Sequence, residues 1–121
     1  MNLDINQILK EAIGLLRDDK FEEAEFLYQK ILEVQPKHPD ANHNVGIIKI
    51  AQNKISEALI LFKIAIEENP NVEQFWVSYT NSLIKINKLE EDEKNLIKVL
   101  KLKPNFVEAH NNLGITLHKL G

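Results

Sequence analysis

The sequence predicts an all-α fold: a linear array of antiparallel helix pairs. Three observations carry this. Pro36, Pro70 and Pro104 recur at a fixed interval of 34 residues. Each interval holds two runs in which apolar residues return every three or four positions, so that they share one helical face. Between the two runs stands a residue tolerant of left-handed backbone. A period of this length marks repeat architectures, in which a unit too small to bury its own apolar face stacks on its neighbours.

Registering the chain on the prolines gives repeats 5–38, 39–72 and 73–106, with a fourth unit that opens at Val107 and stops at Gly121. The first helices carry Ile8, Glu11, Ala12 and Leu15, then Asn42, Val45, Gly46 and Lys49, then Trp76, Tyr79, Thr80 and Leu83, then His110, Leu113, Gly114 and Leu117. The second helices carry Phe21, Ala24, Tyr28 and Ile31, then Ile55, Ala58, Phe62 and Ala65, then Leu89, Asp92, Leu96 and Val99. Asp19, Asn53, Asn87 and Gly121 occupy one equivalent position between the runs and suit the left-handed residue that closes a helix. The prolines stop each second helix and launch the next unit. The expectation is seven helices: three full pairs and one further helix.

The 121 residues include 15 basic and 18 acidic side chains, for a net charge of −3, and no cysteine. A chain of this length buries about two thirds of its unfolded surface and needs no staples, and without cysteine neither disulfides nor thiolate metal sites exist. Arg17 is the lone arginine and the lysines are dispersed, which disfavours nucleic acid as a partner. Lys94, Lys98 and Lys101 form a stripe, but the preceding Glu90, Glu91, Asp92 and Glu93 make it a solvated face. His38, His43, His110 and His118 lack metal-ligand spacing, and no histidine is placed to activate Ser56, Ser78 or Ser82. Neither metal, cofactor nor catalysis is expected. The opening Met1–Gln7 lacks the leader of an exported protein, and the apolar stretch from Ala58 to Ile66 is too short to span a bilayer. These features predict a cytoplasmic protein without membrane insertion.

Over residues 5–121 the pattern resembles the tetratricopeptide repeat (TPR) family. Val45-Gly46 and Leu113-Gly114 match its Leu-Gly step, Trp76 its tryptophan, Ala24 and Ala58 its alanine, Tyr28 and Phe62 its aromatic residue. The resemblance implies a right-handed α-solenoid whose first helices line a concave groove, and a non-catalytic scaffold that binds a peptide or protein segment there. The groove residues it implies are Asn6, Leu9, Ile13, His43, Asn44, Ile47, Val77, Asn81, Asn111, Asn112 and Ile115. Aliphatic walls of this kind accept side chains, and carboxamides both donate to and accept from an extended backbone. Asn44 and Asn112 are similar to the groove asparagines of O-linked N-acetylglucosamine transferase repeats. A specialised branch of the family grips the acidic tails of heat-shock chaperones with a clamp of Lys, Asn and Arg. The matching positions here carry Leu9, Ile13, Asn44, Gln74 and Ser78, which implies no clamp binding.

Departures from the family pattern set further expectations. Asp92 and Thr80 stand where the pattern places small residues facing each other, so Thr80 is expected to donate a hydrogen bond to Asp92. Lys49 replaces an apolar residue and is expected to snorkel to water. Phe26, Ile60 and Ile64 fall where the family exposes polar groups and would form an apolar ridge. Leu113 and Leu117 would face a following helix, and the break in mid-unit suggests a piece of a longer array. Both surfaces suit homotypic association, so the alternatives to peptide binding are an assembly module and the targeting arm of a larger transferase.

Overall fold

A computed structural model describes residues 4–121. Among them it forms seven helices: α1 (Ile5–Arg17), α2 (Phe21–Val34), α3 (Pro39–Ala51), α4 (Ile55–Glu68), α5 (Glu73–Lys85), α6 (Leu89–Leu102) and α7 (Val107–Leu120). The first helices begin at residues 5, 39, 73 and 107, so the proline period is the period of the fold. The chain divides into two compact units, Met1–Glu68 with α1–α4 and Asn69–Gly121 with α5–α7. In the first unit α1 packs on α2, α2 on α3 and α3 on α4; in the second α5, α6 and α7 pack on one another. No helix among the described residues is long and apolar enough to cross a membrane.

The turn inside each pair has one construction. Asp19, Asn53 and Asn87 adopt φ of 58°, 61° and 63°. Each donates its N–H three residues back, to Leu16, Ile50 and Ile84, and the following lysine donates to Leu15, Lys49 and Leu83 at 2.8–2.9 Å. This pair of bonds satisfies two of the carbonyls that a helix end otherwise leaves without a partner. The same lysines, Lys20, Lys54 and Lys88, offer their carbonyls to Ala24, Ala58 and Asp92 in the first turn of the next helix. One backbone residue thus closes one helix and opens the next.

The connection after each second helix is also repeated, with different chemistry. Asn42 Nδ2 donates to Pro36 O at 3.1 Å, Trp76 Nε1 to Pro70 O at 2.7 Å, and His110 Nε2 to Pro104 O at 2.8 Å. A carboxamide, an indole and an imidazole meet the same need: the carbonyl of the helix-stopping proline faces the next helix and requires a donor. The carbonyl can only accept, so His110 carries its proton on Nε2.

Helix starts follow capping rules where a cap is available. Asp4 accepts from the Gln7 N–H, and His38 Nδ1 accepts from the Ala41 N–H with Pro39 at the first helical position.

The core of the first unit is a cluster of Ala12, Ala24, Tyr28, Ile31, Ala41, Val45 and Ile48. Burial of each large member stabilises the unit by about 1.5–3 kcal/mol. Gly46 lets α3 approach α4 so closely that a Cβ at that position would overlap the ring of Phe62, itself buried. At Gly114, on α7, the same Cβ would meet nothing.

Two expectations are corrected. Thr80 does not reach Asp92; its hydroxyl donates to the Trp76 carbonyl at 2.8 Å, one turn back in α5. The helical backbone offers a nearer acceptor than the facing helix. Asp92 is fully buried and its Oδ2 accepts instead from Thr116 on α7 at 2.5 Å, while its Oδ1 has no hydrogen-bond partner. Lys49 does not simply reach water either: its ammonium pairs with Glu25 on α2 at 3.0 Å.

Burial pushes the Asp92 carboxyl up to about 6, against the opposing effect of the Thr116 bond. A folded value above the unfolded one means that ionisation penalises the fold, and the penalty grows as pH rises from the ordinary value of 3.8 and is complete once pH has passed about 6. Replacing Asp92 with Asn, which keeps the shape without the charge, should raise urea stability at about pH 7.5 by ~1–3 kcal/mol. The gain should shrink towards about pH 4.5, where the carboxyl is protonated. A pH-independent difference between the two proteins would show that the ionised carboxylate is not the cause. The glycines give a paired test in thermal unfolding. Gly46→Ala should lower stability by about 1–2 kcal/mol through overlap with Phe62, and Gly114→Ala should raise it by up to about 1 kcal/mol through helix propensity.

Candidate functional site

The residues expected to line a binding surface lie on first helices, those on α1 and α3 in the first unit and those on α5 and α7 in the second. On α1, Asn6 is exposed and Leu9 and Ile13 are half-buried, with Leu9 resting on the core cluster. On α3 the backbone places His43, Asn44 and Ile47 in one stretch, but their environments differ. His43 is buried, its ring centroid 5.3 Å from that of Phe62 at an interplanar angle of 41°. Asn44 and Ile47 are half-buried.

A short polar relay fixes these side chains. Asn44 Nδ2 donates to the Tyr28 hydroxyl at 3.0 Å, so its carboxamide oxygen turns to His43 Nδ1 at 3.2 Å. That oxygen can only accept, which places the imidazole proton on Nδ1. Burial lowers the His43 pKa from its ordinary value, with the Asn44 bond and the negative charge of Asp40 acting the other way. The ring is therefore neutral at neutral pH. Burial also raises the pKa of Tyr28, which stays a neutral phenol. The buried His43 ring thus helps to orient Asn44.

In the second unit Asn81 and Asn111 are exposed, Val77 and Asn112 half-buried, and Ile115 is 47% exposed. The structure brings two of them together: Asn112 Nδ2 donates to Asn81 Oδ1 at 2.9 Å, from α7 to α5. This bond orients both carboxamides. The Asn81 amide keeps its two donors and the Asn112 oxygen keeps its acceptor, side by side on successive first helices.

The residues expected to form association surfaces also separate. Phe26 is 62% and Ile60 65% exposed, whereas Ile64 is half-buried. Leu117 is 48% exposed and Leu113 half-buried. Trp76 is buried, its indole bonded to the Pro70 carbonyl, and belongs to the core.

Sequence reasoning missed the part played by Tyr28. The residue was legible as a core aromatic, yet its hydroxyl anchors Asn44 from α2. The available signal was a phenol in a core position, since a buried hydroxyl demands a partner. The Lys49–Glu25 pair was likewise signalled by a lysine at an apolar position, although not its partner.

The comparisons with known proteins agree with this repeat geometry. The peroxisomal targeting signal receptor of Kluyveromyces lactis is 32% identical over 107 residues, covering 85% of this chain and 19% of that protein. The chain therefore spans about a fifth of the length of that relative. The first TPR of Spaghetti (RPAP3), solved with the HSP90 peptide SRMEEVD, has a TM-score of 0.84 at 23% identity, over 96% of this chain and 92% of that one. The Thermobaculum terrenum O-GlcNAc transferase has a TM-score of 0.79 at 22% identity, over 98% of this chain and 24% of that one. The family model of the tetratricopeptide repeat matches residues 15–91. With the 34-residue period, the left-handed turns and the seven helices in their expected places, the chain belongs to the tetratricopeptide repeat family.

Proposed function

We propose that this chain is a non-catalytic protein-interaction module whose first helices bind an extended segment of a partner protein. The observation that carries this reading is the Asn81–Asn112 pair. Its bond at 2.9 Å leaves one carboxamide donating and its neighbour accepting. An extended backbone offers the complementary pattern in each peptide group, a carbonyl beside an N–H, without regard to side-chain identity. Val77 on α5 and Ile115 on α7 add apolar surface for ligand side chains.

The relatives support the same reading. One is named a receptor for a targeting signal, and one solved neighbour holds a bound peptide. The ligand differs from that of the neighbour. Leu9, Ile13, Asn44, Gln74 and Ser78 hold the positions of the carboxylate clamp and supply no cation there, so an acidic tail gains no charge-assisted bond and loses its hydration.

Affinity capture from source-cell lysate, read by mass spectrometry, tests the surface when wild type is run beside Asn81→Ala/Asn112→Ala. A partner retained by the first and lost by the second, with helicity unchanged by circular dichroism, is the expected result; equal capture by both would reject the role of the pair. In fluorescence polarisation, labelled SRMEEVD should show no saturable binding up to about 1 mM. Saturable binding below that limit would mean that another cation set replaces the clamp.

A further inference from the structure

The buried carboxyl of Asp92 lies where α6 meets α7, and the proposed binding role makes no use of it. Asp92 and Thr116 are both 0% exposed, and Oδ1 of Asp92 has no hydrogen-bond partner among the described residues. The Thr116 hydroxyl on α7 is the donor that reaches Oδ2. Moving α7 away removes that donor and admits water, which solvates a carboxylate better than one hydroxyl can.

Of the three helices in its unit, α7 is also the least firmly held. Its buried residues are Ala109 and Thr116, against seven on α5 and four on α6. Val107, Ile115, Leu117 and Leu120 are exposed. Gly114 makes no close approach to another helix, unlike Gly46 on α3, which meets Phe62. A helix with so few buried apolar contacts can open while its neighbours stay folded. It also carries Asn112, whose bond to Asn81 on α5 builds the proposed ligand surface.

No charged group is buried beside Asp92 to balance it. On α7, Glu108, His110, His118 and Lys119 are exposed. On α5, Glu73 is exposed and paired with Lys103, Lys85 is exposed, and the buried Tyr79 has its hydroxyl on Glu91. On α6 itself, Lys88 and Glu91 are exposed and Glu93 is half-buried. Burial and the Thr116 bond are accordingly the two influences on the carboxyl.

We infer that Asp92 and Thr116 form a proton-operated latch: protonated Asp92 keeps α7 docked with the Asn81–Asn112 pair assembled, and ionised Asp92 shifts α7 towards an undocked state in which the pair is broken. The latch rests on the reading of that pair as the ligand surface for one consequence only, that partner binding is stronger in acid. Undocking returns the carboxyl from about 6 towards its ordinary value of 3.8, so the ionised form docks on the order of a hundredfold less favourably. The loss grows as pH rises from 3.8 and is complete once pH has passed about 6.

Amide hydrogen exchange of the full chain, read residue by residue by NMR as protection factors, tests this. Between about pH 4.5 and about pH 7.5, protection of the α7 amides should fall about twentyfold, with little change in α5 and α6. Asp92→Asn should abolish the response, and so should Asp92→Ala, which installs the residue that the repeat carries at Ala24 and Ala58. Thr116→Val should extend the loss to higher pH, because the Thr116 bond holds the carboxyl down. Wild-type α7 protection that ignores pH would overturn the latch. So would an equal loss across α5, α6 and α7, which would mean that the whole unit opens, or a response kept in Asp92→Asn, which would assign it to another group such as His110. None of these readouts uses a ligand. A pH-responsive α7 with equal capture by wild type and Asn81→Ala/Asn112→Ala would reject the binding surface and keep the latch; an unresponsive α7 with capture lost in that variant would do the reverse.

Discussion

The fold depends on a single backbone constraint repeated every 34 residues: a non-glycine residue held at φ near +60° after the first helix of each pair. Left-handed backbone is disfavoured for residues with a Cβ, and Asp and Asn are the types that tolerate it best. The position returns the chain as a second helix antiparallel to the first and supplies donors to two helix-end carbonyls. It also puts the next lysine where its carbonyl starts the following helix. Because both helix ends are satisfied by backbone alone, the side chains around the turn are free to vary, and α2 and α6 need no side-chain cap at their starts.

The links between pairs obey a comparable rule under looser chemical control. The proline that ends each second helix leaves its carbonyl facing the next helix, and the residue six positions on donates to it. Asn42, Trp76 and His110 share nothing but a donor at a similar reach. What the repeat holds constant is geometry, and several side chains satisfy it. The same tolerance explains Thr80, which lies buried without cost because its hydroxyl bonds to its own helix.

Asp92 shows where the tolerance ends. Its carboxylate replaces a small apolar residue in a fully buried position, and one Thr116 hydroxyl cannot satisfy both oxygens. The helix that supplies this hydroxyl, α7, also supplies Asn112, whose bond to Asn81 orients the proposed ligand surface. In the first unit Tyr28, Asn44 and His43 form the parallel arrangement, with core residues from α2 and α3 holding a partly exposed carboxamide in one orientation. In the first unit the Asn44 carboxamide is thus held by buried neighbours, which limits the rotamer freedom that a proposed ligand would otherwise have to freeze out.

The sequence by itself determined the period, the number and order of helices, the turn residues and the apolar face of each helix. These follow from local rules: proline lacks an N–H, few residues accept positive φ, and a helix returns to one face every three to four positions. It also marked the anomalous positions, Thr80, Asp92, Lys49 and Phe26, as departures from its own repeat. Only the tertiary structure decided how each was resolved. Thr80 bonds to Trp76, Asp92 to Thr116 and Lys49 to Glu25, while Phe26 and Ile60 stand exposed and Ile64 is half-buried. The groove residues divide in the same way. Periodicity places His43 and Asn81 on first helices, but the Phe62 ring buries the former and the position of α7 orients the latter. Hydrogen bonds and close contacts depend on distances of a few tenths of an ångström between helices far apart in the chain, and a repeat pattern specifies which faces meet without specifying which atoms touch.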